Sequence, residues 1–502
     1  MRRGREGEGH EAAVQIDPRA AQIASLVLAM RAREHDRRFL TRGGAACADI
    51  TVLESVPLTT GDLTFCGKKL PEALAHLGEV GSLLSPTSED IKNLKAELAA
   101  CETDLLSNGR AAHVKDALAK CESLARRFDV VVANPPYMGS SSFNPFMSKW
   151  IKKNYPDVKS DLCTCFIERG FNLVEDKGYA AMVTMQSWMF LGSFEKLRAK
   201  VIDNKTIVSM AHLGPRAFDA IGGEVVNVTA DVIYNQHSDA EGAYVRLVDI
   251  NGSEAKRLKL VEAIQNPDCG WFYRRDADTF KQIPGTPIAY WASDGLLSAF
   301  SLGHSIGDYS DYTGSQNKTG DNNLYLRLFW EVGARSVGRK GSWATYSKGG
   351  DFRRWFGNLH WLVSIKKDAI EFYQNNPTSN LLASKYWFSE GVCYTMLTSG
   401  KPSFRLLPPT GGFDMAGPCI CGLGPNRNWA LGFLNCSIAA DVLNMLNPTL
   451  NMQARDIKSL PMLISDEYKP VVNGLVDSSV SISKIDWDSF ETSWDFKRNP
   501  LV

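Results

Sequence analysis

Apolar and polar positions along the chain change period several times, and each change marks an element. Residues 12–16 form a short apolar run that predicts a strand. Asp17 and Pro18 follow as N-cap and first-turn residue, and Ile23, Leu26, Val27 and Met30 then recur on one face of a helix. Residues 50–56 predict a further strand ending near Glu54. Over residues 68–127 Leu, Ala, Lys and Glu dominate. Ser85-Pro86 opens a helix through Ile91, Leu94 and Leu98, and Asn108-Gly109 reads as the break of an inserted helical hairpin. Residues 128–133 (Phe-Asp-Val-Val-Val-Ala) are a β-branched run expected to be a buried strand. Pro135 and Pro136, which have no amide hydrogen for a sheet ladder, should end it at about Ala133.

The rhythm continues beyond this point. A Gly/Ser-rich loop at 138–144 carries Phe143 and is expected to be mobile, residues 161–173 predict an amphipathic helix, and 178–185 and 206–213 predict strands. A loop with Phe218 comes next, and residues 224–234 alternate toward a closing hairpin. Strands and helices in alternation predict an α/β sheet. From about residue 240 the segments become short, aromatic-rich and irregular, which predicts a mixed α+β region.

Composition narrows the picture only locally. The chain of 502 residues is long enough for two or three domains, and 56 basic against 56 acidic side chains give no global signal for nucleic acid. Residues 320–370 are different. Arg327, Arg335, Arg339, Lys340, Lys348, Arg353, Arg354, Lys366 and Lys367 stand against four acids there, interleaved with Trp330, Trp343, Tyr346, Trp355, Phe356 and Trp361. This is either a DNA surface or an ordinary surface over an aromatic core. The eleven cysteines are odd in number, scattered and without a C-x-x-C pair, so they read as reduced thiols of a cytoplasmic protein, and no metal site is expected. No apolar run is long enough for a membrane span.

The chemistry concentrates at Asn134-Pro135-Pro136-Tyr137. In an α/β sheet, ligands sit at the carboxyl ends of strands, and this turn would present there an amide, carbonyls and a flat ring. An exocyclic amino group on a nucleobase is a poor nucleophile because its lone pair is delocalised into the ring. The Asn134 side-chain oxygen and the Pro135 carbonyl can hold both amino hydrogens and localise that lone pair for methyl transfer, while Tyr137 stacks on the base. A base in a duplex would have to be flipped out to reach them. The alternative is a plain strand-ending turn. Asp17, after a strand, is either a ribose ligand or an N-cap.

Asn134-Pro-Pro-Tyr137 with Met138-Gly139 after it resembles motif IV of adenine-N6 DNA methyltransferases. The wider pattern is similar to the adenine-specific methyltransferases of BREX phage-defence systems and to single-chain restriction-modification enzymes. It is carried by Ile16-Asp-Pro-Arg-Ala-Ala21, Ser160-Asp-Leu162, Phe166-Ile-Glu-Arg-Gly170, the stretch Phe218 to Asn227, Lys318-Thr-Gly-Asp-Asn322, Lys348-Gly-Gly-Asp-Phe-Arg353 and Asn447-Pro-Thr-Leu-Asn451. The resemblance implies S-adenosylmethionine as methyl donor, duplex DNA as substrate and a C-terminal target-recognition region. Asn134, Pro135, Pro136 and Tyr137 would form the catalytic turn, Phe218 the second aromatic against the flipped adenine, and Gln15, Asp17 and Glu54 the cofactor side. Arg327, Arg335, Arg339, Lys340, Lys348, Arg353 and Arg354 would lie on the DNA.

Two departures matter. Where the family carries its ribose-binding acid, this chain has Gln15, which lacks charge-assisted bonding. The glycine-rich first motif is missing, so the expected fold is an incomplete Rossmann-like sheet that needs a longer chain, a complementing N-terminal chain or other defence-system proteins. The resulting division is residues 1–67 as a partial cofactor-binding half, 68–127 as the helical insertion, 128–240 as the catalytic half and 241–502 as the target-recognition region. Two rival expectations are a DNA-binding specificity component without activity and a methyltransferase acting on RNA or protein glutamine.

Overall fold

The computed structural model describes residues 12–15, 18–35, 49–58, 63–67, 69–102, 108–218, 226–397, 400–447 and 451–501. The chain divides into two units, one of residues 1–188 and 199–276, the other of residues 189–198 and 277–502.

In chain order the first unit contains β1 (Ala12–Gln15), α1 (Pro18–His35), β2 (Asp49–Val52), α2 (Lys69–Ala75), α3 (Leu77–Val80), α4 (Ser88–Glu102), α5 (Asn108–Ala125), β3 (Phe128–Ala133), α6 (Pro145–Asn154), α7 (Leu162–Leu173) and β4 (Val174–Met185). After α8 (Glu195–Asn204) come β5 (Thr206–Gly214), β6 (Val228–Tyr234), β7 (Gly242–Arg246), α9 (Ser253–Gln265) and β8 (Phe272–Arg275). Six strands form one sheet in the order β3-β4-β6-β5-β7-β8, so the sheet extends past residue 240. Among the described residues β1 and β2 pair, in parallel, only with each other, Gln15 opposite Val52.

β3 ends at Ala133, where the prolines require it to. It is not a buried strand, however: among the described residues it has a single neighbour, β4, and leaves Val132 77% exposed and Val130 55% exposed. The composition of a strand shows its preference for a sheet, whereas burial depends on what covers it. The helical segment differs in detail as well. Asn108 begins α5 instead of breaking a helix, and α4 starts at Ser88 with Thr87 and Asp90 bonding reciprocally across its first turn.

One face of the sheet carries the core. Ala180 and Met182 of β4, Ile207 and Met210 of β5 and Ile233 of β6 are buried there, and α7 packs on β4. The helical segment is tied to α7 by Arg169, which is 2% exposed. Its guanidinium donates to the carbonyls of Ser82 at 2.8 Å and Leu124 at 2.6 Å and to the Ser85 hydroxyl at 3.2 Å. Gly178 permits the close approach of β3 to β4, since a Cβ there would stand 2.5 Å from the Asp129 carbonyl.

The second unit has three small sheets. Leu326–Leu328, Trp361–Ser364, Trp343–Ser347 and Gly411–Phe413 form one, Phe404–Leu407, Gly391–Tyr394 and Cys419–Cys421 another, and His304–Ser305 pairs with Pro461–Met462. Aromatic side chains from these strands and the loops between them, among them Tyr312, Tyr386, Tyr394, Phe404 and Phe413, lie in its core. The long helix Lys469–Trp487 packs on Arg427–Leu434. The ten described cysteines are free thiols, most of them buried.

Candidate active site

β3 runs parallel to β4, and both β4 and β5 run antiparallel to β6. The carboxyl ends of β3, β4 and β5 therefore lie at one end of the sheet. That end receives Asn134–Tyr137 from β3, Gln186 from β4 and the loop with Phe218 from β5.

Within the turn Pro135 is buried, Asn134 and Pro136 are exposed, and Tyr137 is half-buried. The Tyr137 hydroxyl stands 3.3 Å from the Asn134 side-chain oxygen and 3.3 Å from the Val183 carbonyl of β4. Burial, with a lesser contribution from Cys163, pushes the phenol up to about 12, so it keeps its proton and can only donate to these oxygens. The Asn134 oxygen is thereby turned toward the ring but retains a lone pair, and the Pro135 carbonyl accepts no hydrogen bond among the described residues. Two acceptors and an aromatic ring therefore come together in the turn that follows the strand end.

The next loop is tied down, contrary to its expected mobility. Ser140 donates its amide to the Ser160 carbonyl and Leu162 its amide to the Met138 carbonyl, each at 2.9 Å, while Gly139 bridges Asp161. Asp161 also caps α7 by accepting from the Cys163 amide at 3.0 Å. Asn144 caps α6, accepting from the Met147 amide at 2.8 Å, and holds the far end of the loop.

Behind the turn lies a polar core that the sequence did not single out. His212 Nε2 donates to the Gln186 side-chain oxygen at 2.7 Å. Burial, aided by nearby Arg246 and Lys256, pulls the imidazole down to about 3 and keeps it neutral. Asp231 is buried between β4 and β5, its Oδ1 without a partner, and burial pushes its carboxyl up to about 8. The Gln186 amide donates to the Asn227 carbonyl at 2.9 Å, which ties the return from the Phe218 loop to the end of β4. Only the place of Gln186 just after an apolar strand signalled this group.

Phe218 is half-buried, and no ring contact joins it to Tyr137 among the described residues. Gln15 closes β1, Asp17 lies outside the described residues, and Glu54 is exposed just beyond β2, its carboxylate unpaired among the described residues. The basic residues belong to the second unit and are unequally free. Lys348 pairs with Asp414 at 3.5 Å, and Arg353 pairs with Asp486 at 2.8 Å. Arg327 bonds the carbonyls of Asn323 and Leu326, and Arg339 lies over the Phe388 ring. Arg335 and Lys340 are exposed with no ion pair among the described residues, and Arg354 is half-exposed and likewise unpaired.

The model of the family described as Eco57I restriction-modification methylase matches residues 12–218. The adenine-specific methyltransferase BrxX of Escherichia coli O9:H4 (strain HS) is 34% identical over 534 aligned residues, covering 97% of this chain and 43% of that protein. The adenine-specific methyltransferase PglX of Lacticaseibacillus casei (strain Zhang) is 32% identical with the same coverage. The chain thus spans less than half the length of both. Among solved structures, a nuclease-deletion mutant of the Type ISP restriction-modification enzyme LlaGI with a DNA substrate mimic aligns over 94% of this chain and 44% of that one, at 12% identity and a TM-score of 0.49, a likeness too loose to add to the assignment. Residues 12–218 thus match the model of the Eco57I restriction-modification methylase family, and nearly the whole chain is similar to less than half of two adenine-specific methyltransferases.

Proposed function

We propose that this chain carries the acceptor site of a methyltransferase that modifies the N6 amino group of adenine in duplex DNA, in phage defence or restriction-modification. The observation that carries this reading is the turn at the end of β3, where the Tyr137 hydroxyl holds the Asn134 side-chain oxygen at 3.3 Å and the Pro135 carbonyl accepts no hydrogen bond among the described residues. Asn134 and Pro135 accept the two amino hydrogens and direct the nitrogen lone pair out of the ring plane. Tyr137 stacks on the flipped base, and its tethered hydroxyl fixes the amide before the base arrives, so orientation costs nothing at the moment of reaction. Phe218, from the same sheet end, offers a second apolar surface.

The donor side fits in part. The free Glu54 carboxylate stands where parallel β1 and β2 both end, as a ribose hydroxyl requires, with Gln15 closing the neighbouring strand. S-adenosylmethionine held there would supply the activated methyl group. Arg335, Lys340 and Arg354 are the members of the basic set best placed to meet phosphates, the others being engaged within the protein.

A second reading, a DNA-binding specificity component that is silent alone, is favoured by one observation: among the described residues β3 has an open edge, and β1 and β2 are not hydrogen-bonded to it. That edge supports pairing with a strand supplied from outside, either by the same longer enzyme or by a partner chain. Transfer of labelled methyl from S-adenosylmethionine to duplex oligonucleotides, with peptides and RNA as competing acceptors, separates the readings. Label in adenine supports the first, and DNA binding with no label and no cofactor heat in calorimetry supports the second.

A further inference from the structure

Residues 348–358 join the strands Trp343–Ser347 and Trp361–Ser364. Their backbone is left-handed at Gly349 (φ 79°), Gly350 (118°), Trp355 (71°), Gly357 (127°) and Asn358 (60°). For Trp355 and Asn358 this costs free energy, and such conformations persist only where the surroundings over-determine them. Here they do. Thr395 Oγ1 donates to the Gly350 carbonyl at 3.0 Å and Asn358 Nδ2 to the Asp351 carbonyl at 2.9 Å. The Trp355 amide donates to the Phe404 carbonyl, and the Leu406 amide to the Trp355 carbonyl, both at 2.8 Å. From beneath, the fully buried Arg405 donates to the Arg353 carbonyl at 3.3 Å. Arg353 is itself spent on Asp486 and lies over the Trp487 ring.

This frame holds out one apolar side chain and one unspent cation. Phe352 is 59% exposed. The Arg354 guanidinium stands 5.7 Å from its ring centroid, makes no ion pair among the described residues, and has an Nε without an acceptor. Covering Arg354 does not account for a strained backbone braced from several sides. A rigid loop presenting an aromatic ring beside an uncommitted arginine has the makings of a duplex probe. An apolar wedge must unstack a base step, and a loop that needs no ordering on binding spends nothing further on itself.

We propose that Phe352 inserts as a wedge at a base step of duplex DNA while Arg354 takes the acceptor beside it. The inference rests on the reading of this unit as DNA-binding. The unmodified 502-residue chain is used to select duplexes of ~30 base pairs from a randomised pool. These are remade with 2-aminopurine at successive positions and titrated with the unmodified chain, Phe352→Ala, Phe352→Trp and Arg354→Ala. The expected result is a fluorescence rise at one step that Phe352→Ala abolishes and Phe352→Trp restores, with about 10-fold weaker binding by Phe352→Ala. Arg354→Ala should lower the salt dependence of binding by about one phosphate contact. Unchanged affinity and an unchanged fluorescence profile in Phe352→Ala, while the unmodified chain still binds, overturns the wedge alone. Failure of the unmodified chain to bind any duplex overturns the DNA reading and the wedge with it.

Discussion

The hydroxyl of Tyr137 reaches the side-chain oxygen of Asn134 across 3.3 Å, so the ring proposed to stack on a base also orients the amide proposed to hold its amino group. The two roles can be separated by substitution. In whichever assembled form turns over, Tyr137→Phe keeps the stack and loses the tether, and should lower the methylation rate by about 10-fold with DNA affinity unchanged. Asn134→Ala removes an acceptor used in the chemistry and should cost about 10³-fold in rate, again with little change in binding. Single-turnover transfer of labelled methyl, set beside binding curves, checks both. Equal losses from the two variants would contradict the division of labour.

Asp231 makes stability depend on pH in an unusual direction. Its folded carboxyl titrates at about 8, above its unfolded value, so the stability it allows is fully present at about pH 4 and is lost as pH rises toward 8. His212, held neutral by burial, works the other way and loses stability as pH falls below about 6.5. Comparing Asp231→Asn with the unmodified chain cancels the histidine contribution. The variant should match the unmodified chain at pH 4 and exceed it by on the order of 2 kcal/mol at pH 8 in denaturant titrations. A gap that does not change with pH would count against a buried neutral acid.

Arg169 stitches the helical segment to α7 through carbonyls, with no carboxylate in the arrangement. Arg169→Met keeps the apolar stem but leaves the carbonyls of Ser82 and Leu124 buried without donors. The expected loss is about 3 kcal/mol, read as a lowered denaturant midpoint.

The exposed pair Val130 and Val132 on the open edge of β3 invites strand pairing between molecules. Val132→Lys should reduce light scattering of concentrated protein while changing unfolding free energy by less than about 0.5 kcal/mol. A large stability loss would mean that the valine is covered in solution.

The features legible in the sequence were local ones. Two prolines end β3 wherever it lies, and the helix expected over residues 161–173 is found as α7 because its apolar positions recur at helical spacing. The turn Asn134–Tyr137 is contiguous in the chain, and its place at the end of β3 was legible for that reason. The exposure of Val132 was not, because it depends on the absence of a neighbour beyond β3. Nor were the bond between Gln186 and His212 and the burial of Asp231, which arise only when β4, β5 and β6 are laid side by side. The charge count of the basic cluster did not distinguish its members. Lys348 and Arg353 are engaged by Asp414 and Asp486 from distant parts of the chain, whereas Phe352 carries no charge to single it out.

The double use of Asp161 links two fates. Its carboxylate starts α7 and its backbone bridges Gly139, so fraying of the helix start and slackening of the turn exit are one event. Warming would loosen this clasp while the six-stranded sheet still stands, and activity would disappear at a temperature where the fold, seen by its backbone signal, is intact.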